Sequence, residues 1–402
     1  VQRSKTTSQQ SAFPRLFEGI NMRRFPDIFS SPAIGSRTGQ AGRASQLLEP
    51  LADFGHNPGQ LVAKTYLPET LSPGAPLVVV LHGCTQTAGQ YDLGAGWSTV
   101  ADEHGFALLF PEQQRTNNPN LCFNWFLPQD SRRERGEALS IRNMILAMVE
   151  RHRLDPDRVF VTGLSAGGAM ANVLLSTYPE LFAGGAIIAG LPYGTASDVP
   201  QALERMRGQG LPGEPALGAL VRRASDHDGP WPAVSVWHGG ADATVHPSNA
   251  DAIVSQWRSV HGLAEAPART DMVDGFPRRA WIDGQGRECV TSYTITGMAH
   301  GTPLATSGPD ACGKAGPYML DKHISSTRHI CRSWGLSDQS AGRAGADQGD
   351  ELQAARVPRS LALAHRPDAF AEAGEPTAPL AGPSAGVGKV IEDALRAAGL
   401  MR

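Results

Sequence analysis

Gly163-Leu-Ser165-Ala-Gly167 stands between an apolar, β-branched run, Arg158-Val-Phe-Val-Thr162, and a helix-forming run from Ala166 to Ser176 that ends before Pro179. A strand that turns into a helix within so few residues brings backbone against backbone. Glycines at Gly163 and Gly167 permit that approach, and Gly168 extends the clearance. The serine between them projects its hydroxyl above the end of a sheet. The helix that follows presents free N–H groups and a partial positive charge to the same place. Ser165 is therefore the candidate nucleophile, and the fold it requires contains a strand–turn–helix unit.

The flanking sequence supplies more such units. Leu61 to Leu67 reads as an early strand, and Leu77-Val-Val-Val-Leu81 as one buried on both faces. A helix ending at Ala101 to His104 leads into the strand Phe106-Ala-Leu-Leu-Phe110, which Pro111 is expected to stop. Ala138, Ile141, Ile145, Met148 and Val149 have helical spacing, so Gly136 to Arg153 is an amphipathic helix closed by Asp155-Pro156. Gly185 to Ala189, Ala233 to Trp237 and Ser292 to Thr296 add strands. This alternation predicts an α/β fold with a mostly parallel central sheet and helices on both faces, and the G-x-S-x-G turn set between a strand and a helix points to the α/β-hydrolase type.

With 41% hydrophobic and 19% charged residues, the chain can bury a substantial core. Its 36 Lys and Arg nearly balance 39 Asp and Glu, and the net charge of −3 gives no field suited to nucleic acid or an anionic membrane. No apolar run approaches the roughly 18–20 residues that span a bilayer. The catalytic domain is expected over residues 46–336. Residues 1–45, in which Arg and Lys outnumber acids, read as a disordered leader, with a basic arm as the alternative. Residues 337–402 read as a flexible Ala/Gly/Pro-rich tail in which a short helix could form near Val390 to Leu400. No apolar segment of signal-peptide type is visible between Val1 and Pro50.

The remaining machinery follows from chain order. Val80-Leu-His82-Gly83-Cys84 leaves a strand as a glycine turn that can fold back over the serine. The backbone N–H groups of Cys84 and Ala166 are the expected oxyanion donors, Gly83 permits the turn, and His82 is structural. In this fold the acid and then the base follow the nucleophile. Asp242, in the glycine turn after Ala233–Trp237, is the expected acid, with Val245 and His246 packed beside it; Asp226, Asp228 and Asp251 are competitors. His300, in a glycine-flanked loop after the last strand, is the expected base. His261 falls near a helix end, and His323 and His329 fall in a C-terminal helical region. The i, i+4, i+8 spacing of His238, Asp242 and His246 resembles a metal face on a helix, but Gly239 and Gly240 argue against a helix there. No metal or other cofactor is called for. Arg132, Arg133 and Arg135 read as a solvated charged run.

Five cysteines, Cys84, Cys122, Cys289, Cys312 and Cys331, contain no C-x-x-C pair. They allow two disulfides and a free thiol, or five reduced thiols.

Taken in order, Leu81-His-Gly-Cys-Thr-Gln86, Cys122-Phe-Asn-Trp-Phe126, Gly163 to Gly168, Tyr178-Pro-Glu-Leu-Phe182, Leu191-Pro-Tyr193, His238 to Val245 and Gly297-Met-Ala-His-Gly301 resemble the poly(3-hydroxybutyrate) depolymerase-like esterases. Lys314 to Leu320 and the run into Trp334-Gly335 are also similar. That family includes feruloyl and acetyl xylan esterases. The resemblance implies a serine esterase using Ser165, Asp242 and His300 on short-chain hydroxyalkanoate esters, or alternatively on feruloyl or acetyl xylan esters. It implies a Cys84–Cys122 disulfide and an extracellular enzyme, the cytoplasm being the alternative. Trp125 could line a substrate groove or belong to the core. The expected partner is the ester itself, small or polymeric. Two other classes carry the same residues: a peptidase with this triad, and a catalytically inactive polymer-binding protein.

Overall fold

The computed structural model describes residues 48–337. The leader expected over 1–45, and the tail expected over 337–402 with a helix near Val390 to Leu400, lie outside the described residues apart from Ser337.

A ten-stranded sheet forms the centre of the described residues. Its strands in chain order are β1 (Glu49–Pro50), β2 (Val62–Tyr66), β3 (Leu77–Leu81), β4 (Ala107–Glu112), β5 (Val159–Leu164), β6 (Gly184–Ile188), β7 (Ala233–Gly239), β8 (Arg269–Val273), β9 (Phe276–Ile282) and β10 (Glu288–Ile295). In space they run β1-β2-β4-β3-β5-β6-β7-β10-β9-β8. The six central strands, β4 to β10, pair in parallel, and the flanking ones pair antiparallel. Two short parallel strands, β11 (Thr302–Leu304) and β12 (Met319–Asp321), make a second sheet.

Strand periodicity divides the core between two faces. Leu77, Val79 and Leu81 of β3 point into one apolar cluster, and Val78 and Val80 into the other. The first cluster takes in the helices Gly136–His152, Ala166–Thr177 and Ser248–His261. The second takes in Ala88–Ala95, Trp97–His104 and Ser326–Ser333. Each fully buried Val or Leu of β3 contributes on the order of 1.5–3 kcal/mol, which favours this strand at the centre of the sheet. Across the β7–β10 pair, Trp237 faces Tyr293 with ring centroids 3.7 Å apart, fixing that register.

Some expectations change. Pro111 does not stop β4; it pairs with Ala63 of β2. Pairing with β3 has ended at Leu109, so the N–H that proline lacks is not needed on that side. His323 precedes the last helix in a left-handed conformation, so only His329 is helical. Arg133 is not simply solvated. Its guanidinium donates to Thr177 O at 2.6 Å, pairs with Glu180 at 2.7 Å and lies over the Tyr178 ring. It thereby holds the C-terminus of the helix that begins after Ser165, where a cation is favoured. Among the described residues, no helix is long and apolar enough to cross a membrane.

Candidate active site

The sheet order places the candidate residues together. β3 and β5 are neighbours, with Leu81 opposite Gly163, so His82-Gly83-Cys84 leaves the sheet beside Leu164-Ser165-Ala166. β7 and β10 are likewise neighbours, with Gly239 opposite Ile295, so Asp242 and His300 follow adjacent strand ends. All these loops lie at the carboxyl ends of parallel strands, where open α/β sheets place their sites.

The serine turn has the strain expected of it. Ser165 has φ 57° and ψ −117°, outside the usual regions for a residue with a side chain. Its N–H donates to Ile188 O at 2.9 Å, anchoring the turn to β6. A Cβ on Gly163 would stand 2.4 Å from Gly167 O, and one on Gly167 would stand 2.4 Å from both Leu81 O and His82 O. Neither position admits a larger residue without moving backbone. The Ser165 side chain does not cap the helix it begins, which leaves its oxygen for other chemistry.

The loop from His82 to Gln86 is organised by engaged donors. Gly83 N–H donates to Gln86 Oε1 at 2.9 Å, Thr85 N–H to Asn120 O at 2.7 Å and Gln86 N–H to Gly83 O at 3.3 Å. Among the described residues, the Cys84 N–H has no partner and neither does that of Ala166 at the start of its helix. Those are the two N–H groups expected to be donors. The left-handed residue of the turn is Thr85 at φ 63°, rather than Gly83. His82 is structural: Nδ1 donates to Gly83 O at 2.8 Å and Nε2 accepts Gln113 N–H at 3.1 Å. Its burial disfavours the charged imidazole.

Asp242 and His300 are paired, with Nδ1 2.7 Å from Oδ2. The other carboxylate oxygen accepts the N–H groups of Thr244 and Val245, each at 2.9 Å. Burial alone would raise the Asp242 pKa, but hydrogen bonds from His238 and His300 to its ionised form pull it well below the usual carboxylate range. Gly240 N–H donates to Ile295 O and Ala241 N–H to Met298 O, both at 2.9 Å, lacing the loop of Asp242 to the loop of His300. Ser165 and His300 are each 7% exposed. No hydrogen bond joins Ser165 Oγ to His300 in this structure; such contacts commonly tighten only with substrate. Asp251, a competitor for the acid, instead pairs with Arg279 at 2.9 Å. His246 is exposed and bonds Ser248 Oγ at 2.9 Å rather than packing on Asp242.

Cys84 and Cys122 form a disulfide; Cys289, Cys312 and Cys331 are free thiols, so neither cysteine tally allowed by sequence holds. The bond ties the His82–Gln86 loop to the Cys122–Phe126 segment. Trp125 in that segment is 7% exposed and packs within the apolar cluster, edge-on to Phe126, as a core residue does. A residue not anticipated from sequence supports the segment. The buried Glu137 carboxylate accepts Asn124 N–H and Asn124 Nδ2, each at 2.8 Å, and Gln113 Nε2 at 2.6 Å. Burial, reinforced by Asp130, pushes its pKa up to about 8 against those donors. A Glu in the first turn of an amphipathic helix is an ordinary sequence feature, and only the folded loop gives it this role. With a separation of 38 residues between the cysteines, Cys122→Ser is expected to lower unfolding free energy by about 4 kcal/mol on the chain-entropy estimate. Urea titration at neutral pH measures this, and an unchanged midpoint would contradict it.

The family model for Esterase PHB depolymerase matches residues 62–274. The poly(3-hydroxyalkanoate) depolymerase C of Paucimonas lemoignei is 43% identical over 312 residues, covering 77% of this chain and 74% of that one. An acetylxylan esterase of Coprinopsis cinerea is 32% identical over 276 residues, covering 65% of this chain and 70% of that one. Among solved structures, an acetyl xylan esterase from Aspergillus awamori superposes with a TM-score of 0.62 at 23% identity, covering 72% of this chain and 99% of that one, which shows a common fold. The match in sequence and the shared fold together place this chain in the Esterase PHB depolymerase family, and it is a carboxylic ester hydrolase.

Proposed function

We propose that Ser165, His300 and Asp242 act as nucleophile, base and acid in a two-step hydrolysis of short-chain hydroxyalkanoate esters. The observation that carries the mechanism is the 2.7 Å contact between His300 Nδ1 and Asp242 Oδ2. It keeps the proton on Nδ1 and a lone pair on Nε2. That lone pair takes the Ser165 proton as Oγ attacks the ester carbonyl. The N–H groups of Cys84 and Ala166 hold the resulting oxyanion, and each such donor is worth about 3–4 kcal/mol in the transition state. The imidazolium returns its proton to the departing alcohol. Water, giving a proton to the same nitrogen, then attacks the acyl carbonyl; the acid is released as Ser165 Oγ leaves and takes that proton back from the imidazolium.

The hydroxyalkanoate preference is supported by the 43% identity to the Paucimonas lemoignei depolymerase. Acetyl xylan or feruloyl esters are the second substrate class, supported by the Coprinopsis cinerea esterase and by a feruloyl esterase B of Talaromyces stipitatus, 30% identical over 269 residues. A Cys84–Cys122 bond suits an oxidising, extracellular setting. The test is kcat/KM on 3-hydroxybutyrate oligomers, acetylated xylan, methyl ferulate and a p-nitrophenyl ester chain-length series. The oligomers are expected to lead by about tenfold or more. Preference for acetylated xylan or ferulate would replace the substrate, and inertness on every ester would remove the catalytic role.

A further inference from the structure

His238 is the next-to-last residue of β7, at its site end and four residues before Asp242, and both are buried. The chain then turns at Gly239-Gly240 and curls back. Val245 O comes to lie 2.8 Å from His238 Nε2, and Asp242 Oδ2 lies 3.4 Å from the same nitrogen. Both neighbours are acceptors, so Nε2 must carry the proton. Nδ1 is buried with no hydrogen-bond partner among the described residues, so a proton there would have nothing to bond. His238 is therefore the neutral Nε2–H tautomer.

We propose that His238 is a positioning residue for the acid. Its shared Nε2–H closes the 238–245 loop and holds Asp242 Oδ2 at the angle that meets His300. The Thr244 and Val245 N–H groups fix only Oδ1. With that oxygen as a hinge, the carboxylate can still swing, and His300 meets Oδ2 from one side only. His238 holds Oδ2 from the side of the sheet, on a strand paired on both edges, with β6 and β10. The i, i+4 spacing thus serves a strand–turn–return rather than a helical metal face. This inference rests on Asp242 being the acid partner of His300.

The test pairs two side chains of similar shape, one with a donor and one without. His238→Met removes the donor and His238→Gln keeps one. His238→Phe is a second donor-free variant, and thermal melts check folding. The donor-free variants are expected to lose about ten- to a hundredfold in kcat on a p-nitrophenyl ester with KM nearly unchanged, because small misplacement of a catalytic group has that effect. Labelling of Ser165 by a fluorophosphonate should slow in proportion, and H238Q should recover most of both. Wild-type kcat in H238M or H238F would overturn the proposal. So would equal losses in H238Q and H238M, which would mark a packing role. Loss of folding in both donor-free variants with H238Q intact would assign the bond to the fold and also overturn it. Asp242→Asn is assayed beside them. A slow D242N with a normal H238M defeats only the role of His238, whereas a normal D242N defeats the acid assignment beneath it.

Discussion

Ser165→Ala is expected to lower kcat on a short-chain p-nitrophenyl ester by about 10⁵- to 10⁶-fold, with KM little changed. The size follows from what is removed. Without the hydroxyl no acyl-enzyme forms, and only the N–H groups of Cys84 and Ala166 and substrate binding remain to help water attack directly. The fold should not suffer. Ser165 Oγ makes no hydrogen bond among the described residues, so its loss strands no buried partner. The strained φ of 57° is set by the backbone and borne equally by alanine. The melting temperature of S165A should therefore match or exceed that of the wild type, in keeping with the usual tension between activity and stability at such sites. Kinetics, a melt and a fluorophosphonate label together separate the cases. Residual turnover near wild type in a folded S165A would show that another group attacks the ester.

How far these residues can be found from sequence depends on the kind of constraint each obeys. Ser165 is legible because steric demand acts locally: Gly163 and Gly167 are there to admit Gly167 O and Leu81 O within van der Waals reach. Asp242 and His300 are legible because each falls in a glycine turn after a buried strand, and parallel strands send such turns to one edge. The hairpin of β8 and β9 is hard to see in the sequence, although Asp274-Gly275 is a hairpin signal, with φ 48° and 83°. Its first strand, Arg-Thr-Asp-Met-Val, is an edge with mostly exposed side chains and shows no apolar alternation. Pro111 misled because proline's meaning in a strand depends on which neighbours the strand has. The role of His238 could not be read at all. It arises when Val245 returns to the strand end, a contact that spacing alone presents as a helix. Which N–H groups stay unengaged at Cys84 and Ala166 is likewise a property of the folded loop, since Gln86 and Asn120 consume their neighbours.

Asp242→Asn is expected to lower kcat by about 10⁴-fold while leaving the backbone in place. The two oxygens of Asp242 have different duties. Oδ1 accepts Thr244 N–H and Val245 N–H at 2.9 Å, and asparagine's oxygen must take that position to keep the turn bonded. Its NH₂ group then occupies the place of Oδ2, 2.7 Å from His300 Nδ1 and 3.4 Å from His238 Nε2. Two donors would face one another at each contact. His300 can relieve this only by moving its proton to Nε2, which removes the lone pair that should face Ser165. The variant thus has every group in place and the wrong tautomer. Its stability has a matching signature. The Asp242 pKa is depressed in the fold despite burial, because His238 and His300 hydrogen-bond the ionised form. That stabilisation is present above the unfolded carboxylate value of about 3.9 and is lost as pH falls through the folded value. D242N should therefore be less stable than wild type at pH 7, with the gap beginning to narrow only below about pH 3.9 and still largely present at pH 3, so that pH 7 and pH 2 are the informative pair. Urea titrations at the two pH values measure the gap, and kcat measures the tautomer. A constant gap would show that the charge of Asp242 does not support the fold, and an active D242N would show that His300 takes its orientation from elsewhere.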